Sequence, residues 1–220
     1  MEGFIVEHDV LLHCTRPRNQ VVIPLGIKEI APEVFRNHWE IQQIVIPEGV
    51  TYIGEQAFMG CRNLREVVLP WSLIKIGAEA FRDCEKLARI TLPPKLAVIK
   101  EGAFLRCESL KKISVPNSVT EMGPQAFACC YELEQVALSA NLETLSDQAF
   151  YFCPCLCEVR LPSRLRVIGR ETFWAAKSLE KIVIPETVME IGTRAFFDCP
   201  KLTIPVLPKG TRLGNNVFSA

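Results

Sequence analysis

Arg65 to Leu87 reads REVVLPWSLIKIGAEAFRDCEKL, and most of the chain is this unit written again with small edits. Phe35, Phe58, Phe81, Phe104, Phe127, Phe150, Phe173 and Phe196 stand 23 residues apart. Phe218 follows after 22, because the last unit has lost a residue between Pro208 and Gly214. The same step places leucines at Leu64, Leu87, Leu110, Leu133, Leu156, Leu179 and Leu202. It also places prolines at Pro24, Pro47, Pro70, Pro93, Pro116, Pro162, Pro185 and Pro208, with Ser139 the exception. A fixed period of this length is the signature of a stacked repeat architecture.

Each unit translates into local structure. The alternation in Val67-Val68-Leu69, Ile113-Ser114-Val115 and Ile182-Val183-Ile184 predicts a short strand. The proline that follows lacks an N–H and ends the ladder. A second extended piece carries two inward apolar residues, Leu73 and Ile76 in the template. A glycine then turns the chain at Gly54, Gly77, Gly123, Gly169, Gly192 and Gly214, while Lys100 and Ser146 hold that place in two units. A left-handed conformation there is therefore tolerable for other residues, or absent in those units. AEAFRDC is expected to form a turn of helix with Ala80, Phe81 and Cys84 on one face. One such coil cannot bury its apolar side, but a stack of parallel coils can, with the phenylalanines as an interior spine.

Residues 1–19 break the period. Phe4-Ile5-Val6 and Val10-Leu11-Leu12, separated by Glu7-His8-Asp9, read as a β-hairpin that serves as an N-terminal cap. Residues 20–220 then form nine tandem repeats in a single solenoid domain. The sequence ends at Phe218-Ser219-Ala220, before the last unit's Cys and Leu positions. That end either closes the stack itself or is covered by a second copy, which makes a homo-oligomer through the C-terminal coil an open expectation.

Composition narrows the function classes. Apolar residues make up 49% of 220, enough for a continuous core, and 25 basic residues balance 25 acidic ones. A chain without basic excess is not drawn to nucleic acid or anionic lipid. No apolar run reaches the ~18 residues of a membrane span. The first residues, with Glu2, Glu7 and Asp9, do not form a secretory leader. As written the protein is expected to be cytoplasmic, or at the cell surface or secreted if a leader has been removed.

The segments IVIPEGVTYIGEQAFMGCRNL (Ile44–Leu64) and IVIPETVMEIGTRAFFDCPKL (Ile182–Leu202) resemble the BspA-like leucine-rich repeats, a family found widely in bacterial surface proteins. The likeness runs from about Val21 to Phe218. It implies an α/β repeat fold: a curved, right-handed solenoid with a parallel β-sheet on one face and short helical turns on the other. It also implies binding to other macromolecules, with adhesion to host protein or glycan as one role, and it supplies no catalytic residues.

Ten cysteines need a separate reading. Cys61, Cys84, Cys107, Cys130, Cys153 and Cys199 share one column, in which His38 and Ala176 stand in. Stacked parallel side chains keep Cβ atoms about a strand spacing apart, beyond the usual ~3.5–4.5 Å of a disulfide. The column reads as small, buried, reduced thiols. Cys153, Cys155 and Cys157 are the one place to look for a metal, but their side chains should diverge, and no metal site or other cofactor is assigned. No nucleophile–base set or phosphate loop appears, so the protein is read as a non-enzyme.

Two surfaces are candidates for a protein partner. On the strand face lie Val45, Val68, Arg89, Lys112 and Arg160, with Trp71 just past the strand. Cross-strand pairing of Glu66 with Arg89, Glu158 with Lys181 and Lys111 with Glu134 would neutralise that face. Otherwise it is a shallow groove of mixed charge suited to protein. On the opposite face Tyr151, Trp174 and Phe197 follow the spine phenylalanines, with Phe152 alongside. They form either an apolar stripe for a partner or for self-association, or rings half buried against the next coil.

Overall fold

The structure is a computed structural model, and it describes Gly3 to Phe218; Met1, Glu2, Ser219 and Ala220, at the outer bounds of the cap and repeat assignments, lie outside the described residues. Successive coils stack at the 23-residue step of the repeat, 22 in the last unit, and where strands pair, each residue faces its copy one unit on. Short parallel strands line two faces of the stack. On the first, called the strand face, β3 (Gln20–Val22), β5 (Gln43–Val45) and β7 (Glu66–Val68) form one ladder, and β10 (Lys112–Ser114), β12 (Gln135–Ala137) and β14 (Glu158–Arg160) form another. The register is that of the repeat, with Ile44 opposite Val67 and Val136 opposite Val159.

The second face uses two-residue strands. β4 (Glu29–Ile30), β6 (Tyr52–Ile53), β8 (Lys75–Ile76), β9 (Val98–Ile99) and β11 (Glu121–Met122) follow one another, then β13 (Thr144–Leu145), β15 (Val167–Ile168), β16 (Glu190–Ile191) and β17 (Arg212–Leu213) form a separate ladder. At the break between them the Ser146 hydroxyl donates to the Met122 carbonyl. The N-terminal hairpin, β1 (Phe4–Glu7) and β2 (Val10–Cys14), turns at His8 and Asp9, both with positive φ, as a tight hairpin requires. It joins the second face by pairing Val10 with Glu29 and Leu11 with Ile30. Leu11 and Cys14 are buried beneath it.

The third side corrects the expectation of helical turns: no helix occurs among the described residues. Gln56, Phe58 and Gly60 donate their N–H groups to Ala78, Ala80 and Arg82 in the next coil, and the pattern recurs in the units that follow. Between these donors, Ala57, Met59 and Cys61 close tight turns back to Gly54, Gln56 and Phe58. Every second N–H thus leaves the coil, and an α-helix, which directs its N–H groups to residues four back, cannot form. The geometry demands positive φ twice per unit, met by Gln56 and Gly60, then by Glu79 and Asp83. Placing ordinary residues there costs roughly 1–2 kcal/mol each, and the inter-coil bonds offset it.

The glycine column is present for space. Gly54, Gly77, Gly123, Gly169, Gly192 and Gly214 have no positive φ, and a Cβ on Gly77 would lie 2.7 Å from the Gly54 carbonyl carbon. Inside, eight phenylalanines from Phe35 to Phe196 are almost fully buried, and with Phe218 they stack in one file. Neighbouring ring centroids are 5.1 to 5.8 Å apart.

Candidate interaction surfaces

With the interior filled, the surface chemistry lies on the outer faces. Strand alternation sends every second side chain outward, which exposes Val68, Arg89, Lys112 and Arg160 and half buries Val45. Trp71 is 70% exposed. It holds the position after the proline because its own N–H donates to Glu48 of the preceding coil. One coil on, the equivalent residue is Pro94, which has no N–H to donate, so Trp71 need not accept one.

The strand face is not a continuous sheet. Ile23 donates to Val45, Ile46 to Val68 and Val115 to Ala137, each across one coil boundary. Among the described residues the equivalent bonds from Leu69 to Thr91 and from Leu161 to Val183 do not form. Arg89–Thr91 and Lys181–Val183 belong to no strand. Each of these segments is therefore unpaired toward both neighbouring coils, and on its preceding side each leaves a seam. Solvent reaches the core there: Val67, Leu69, Ile90 and Leu92 are 7–8% exposed, against 0–2% for Ile44 and Ile46. A cleft of about 520 Å³ lies over the first seam, between Glu66–Leu69 and Arg89–Pro94, with Trp71 in its wall. A cleft of about 340 Å³ lies over the second, lined by Arg160, Lys181 and Val183 among others.

These seams fall where the expected ion pairs would have formed. Glu66 accepts instead from Gln43 at 2.9 Å, continuing a chain from Gln20. Glu158 is approached by Arg160 and Gln135, and Lys111 pairs with Glu132 instead of Glu134. Arg89, Lys112 and Lys181 are exposed and have no ion partner among the described residues.

On the turn side Tyr151 meets Trp174 at 5.5 Å and Trp174 meets Phe197 at 5.2 Å. Phe152, 43% exposed, touches Tyr151 and Tyr131. The rings form a connected row, half buried against one another except for Phe152. The Arg194 guanidinium covers Trp174 and Phe197 and lies 3.9 Å from the buried Glu171. Burial disfavours the Glu171 charge, but hydrogen bonds from Gln148 and Arg170 and the charges of Arg170 and Arg194 outweigh it and hold its carboxyl below the usual range.

The cysteine column is unbridged and buried, except for the partly buried Cys199. Each thiol donates to the spine carbonyl one coil earlier, as Cys61 does to Phe35 and Cys153 to Phe127. Desolvation pushes Cys61 and Cys153 up to about 12, which keeps them protonated and inert. In the CPCLC stretch Cys153 faces inward, Cys155 and Cys157 face solvent, and Cys157 donates to Glu134. Among the described residues no three His, Cys, Asp or Glu side chains converge as metal ligands.

A sequence profile described as BspA type leucine rich repeat region matches residues 28–156 and 106–220, in six copies. The chain belongs to this family. A leucine-rich repeat protein from Bacteroides ovatus has the same fold with a TM-score of 0.88 and 30% identity, over 99% of this chain and 60% of that one. The chain thus spans less than two thirds of that relative. A leucine-rich repeat protein from T. pallidum is also 30% identical, with a TM-score of 0.69 over 92% of this chain and 87% of that one. A leucine-rich cell surface protein from Faecalibacterium prausnitzii, 22% identical, shares the fold with a TM-score of 0.64, over 99% of this chain and 78% of that one. No curated protein matches the chain.

Within this BspA-type stack, three features were missed in the sequence: Lys181 and Val183 as unpaired strand-face residues, and Pro94 in the wall of the first cleft. The doubled proline at Pro93-Pro94, unique among the units, was the available signal.

Proposed function

We propose that the chain is a non-enzymatic protein-binding scaffold that receives its partner on the strand face. The observation that carries this reading is the set of exposed cations, Arg89, Lys112 and Lys181, left without ion partners among the described residues and lying beside exposed Trp71, Val68 and Val183. Charges that their own neighbours do not neutralise give up little when they meet a complementary partner, and an exposed tryptophan next to them supplies an anchor. Interleaved Glu66 and Glu158 and zero net charge favour protein over nucleic acid. Capture experiments with the wild-type protein beside Trp71→Ala, Lys112→Glu and Trp174→Ala test the assignment. Loss with the first two and retention with the third supports the strand face. Retention with all three overturns it.

The row Tyr151, Trp174 and Phe197 with exposed Phe152 favours a second reading, self-association through the turn side. Light scattering decides it: a wild-type dimer that Trp174→Ser dissolves supports it, and a monomer at high concentration excludes it. Display at a cell surface, as an adhesin, would present the same strand face to host protein or glycan. Surface labelling of intact cells tests that setting.

A further inference from the structure

We infer that the strand face receives an acidic, extended segment of a partner protein lying across the coils, with its carboxylates on Arg89 and Lys112 and an apolar side chain against Trp71. This deepens the strand-face reading and rests on it. The cleft beside Trp71 adjoins a cleft of about 460 Å³ over Lys112, Ser114 and Ala137, the two sharing Ile90 in their walls. That middle cleft in turn meets the cleft beside Lys181 at Arg160. The three therefore make one trough along the stacking axis. Its floor is low at the centre, where the outward mid-strand residues are the short Thr91, Ser114 and Ala137, between Val68 and Arg160. Val68 and Val183 are five coil steps apart, about 24 Å at strand spacing, which roughly seven extended residues span. The ligand lies on the coils and not between them. Ala97 donates to Ile74 on the second face and Phe81 to Ala103 on the turn side, which holds the coils shut on both sides of the first seam.

Charge decides the chemistry of the segment. The chain is neutral overall, yet the trough holds four cations, Arg89, Lys112, Arg160 and Lys181, against two carboxylates, Glu66 and Glu158. Both carboxylates are already engaged, Glu66 by Gln43 and Glu158 by Arg160 and Gln135. Arg89 and Lys112 stand one coil apart with no carboxylate between them and no ion partner among the described residues. Alternate side chains of an extended segment share one face about 7 Å apart, a spacing that long, flexible arginine and lysine stems can meet. A polyanionic backbone would run its charges over Glu66 and Glu158 as well, so a few placed carboxylates fit better than nucleic acid. Trp71 sets the apolar end. Its N–H is tied to Glu48, and its ring shares the cleft with Pro93 and Pro94, an apolar platform for one side chain. At the Lys181 end the equivalent position is Ser163, so the anchor is assigned to Trp71.

The test uses the whole chain and labelled, blocked octapeptides with one leucine followed by glutamates at alternate positions, beside matched peptides carrying glutamine or lysine there. Fluorescence anisotropy is read at physiological ionic strength, where charges more than about 8 Å away are largely screened. The glutamate peptide is expected to bind about tenfold more tightly than the glutamine peptide, and the lysine peptide more weakly than either. Arg89→Glu and Lys112→Glu each weaken the glutamate peptide about tenfold, and Trp71→Ala about fivefold, with unchanged thermal transitions. Arg166→Glu, at an exposed cation on the second face, leaves it unchanged. The peptide comparison on wild type decides the charge preference without any variant. Glutamate and lysine peptides bound equally, or neither bound at millimolar concentration, overturn the proposal. So does an Arg166→Glu effect as large as that of Arg89→Glu, or tighter binding of a single-stranded oligonucleotide of the same charge. If the strand face itself is wrong, the Trp71→Ala and Lys112→Glu proteins keep their captured partner. If only the acidic segment is wrong, they lose it while the glutamate peptide binds no better than the glutamine one.

Discussion

The Cys107 thiol donates to the backbone carbonyl of Phe81, 3.3 Å away and 26 residues earlier. The column's cysteines are thus ties between coils, each attached to the spine residue below. Ala176 breaks the series, and among the described residues the Phe150 carbonyl accepts no hydrogen bond. Cys107→Ala is expected to cost about 1–2 kcal/mol from the lost bond and the void. Ala176→Cys is expected to gain about 1 kcal/mol. Urea unfolding of the two variants beside wild type measures both, and a destabilised Ala176→Cys protein would contradict the role given to the thiols.

Phe127 sits mid-file, with Phe104 at 5.1 Å and Phe150 at 5.8 Å. Removing its ring deprives two neighbours of contact at once. Phe127→Ala should cost about 3–5 kcal/mol in chemical denaturation. A loss well under 1 kcal/mol would show that the stack is not what holds the coils.

Glu171 links acid stability to one buried carboxylate. Its folded carboxyl lies below its ordinary value of 4.5, so the native state favours the charged form. The stabilisation is complete above that ordinary value and is lost as pH falls through the folded one. Glu171→Gln should cost about 1–2 kcal/mol at pH 7, and the difference from wild type should shrink as pH drops from 5 toward 2. Thermal melts across that range check it; a constant difference at all pH values would assign the loss to packing.

Gly77 and Gly26 separate two uses of glycine. A Cβ at Gly77 would strike the Gly54 backbone at 2.7 Å, so Gly77→Ala must push two coils apart, at about 1–3 kcal/mol. Gly26 has φ of +91° and nothing within 4 Å, so Gly26→Ala should cost only about 1 kcal/mol, from backbone strain. Equal losses, read from unfolding midpoints, would contradict the close-packing role of the column.

The spine, the strand positions and the thiol column were legible because each is a column, and a column is a statement about neighbours in the stack. The conformation around Ala80, Phe81 and Cys84 was not. Their spacing suits one face of a helix, and what excludes the helix is a competing acceptor on the next coil, which no local pattern displays. The pairing of Glu66 with Arg89 failed for a related reason. Register placed them side by side correctly, but charge columns do not reveal whether the ladder between them closes. Trp71 was legible as an exposed ring because it breaks its column; the cleft beside it became visible only in the missing bond between Leu69 and Thr91.

The shortened last unit shows what this architecture conserves. Although 22 residues separate Phe196 from Phe218, their rings stack at 5.4 Å and 6°, and Arg212 still pairs with Glu190. The deletion is absorbed between Pro208 and Gly214, upstream of the spine residue and away from its contacts. Length is therefore elastic at one point of each coil and rigid elsewhere. A one-residue shift of the pattern anywhere between glycine and leucine would instead displace contacts with both adjoining coils.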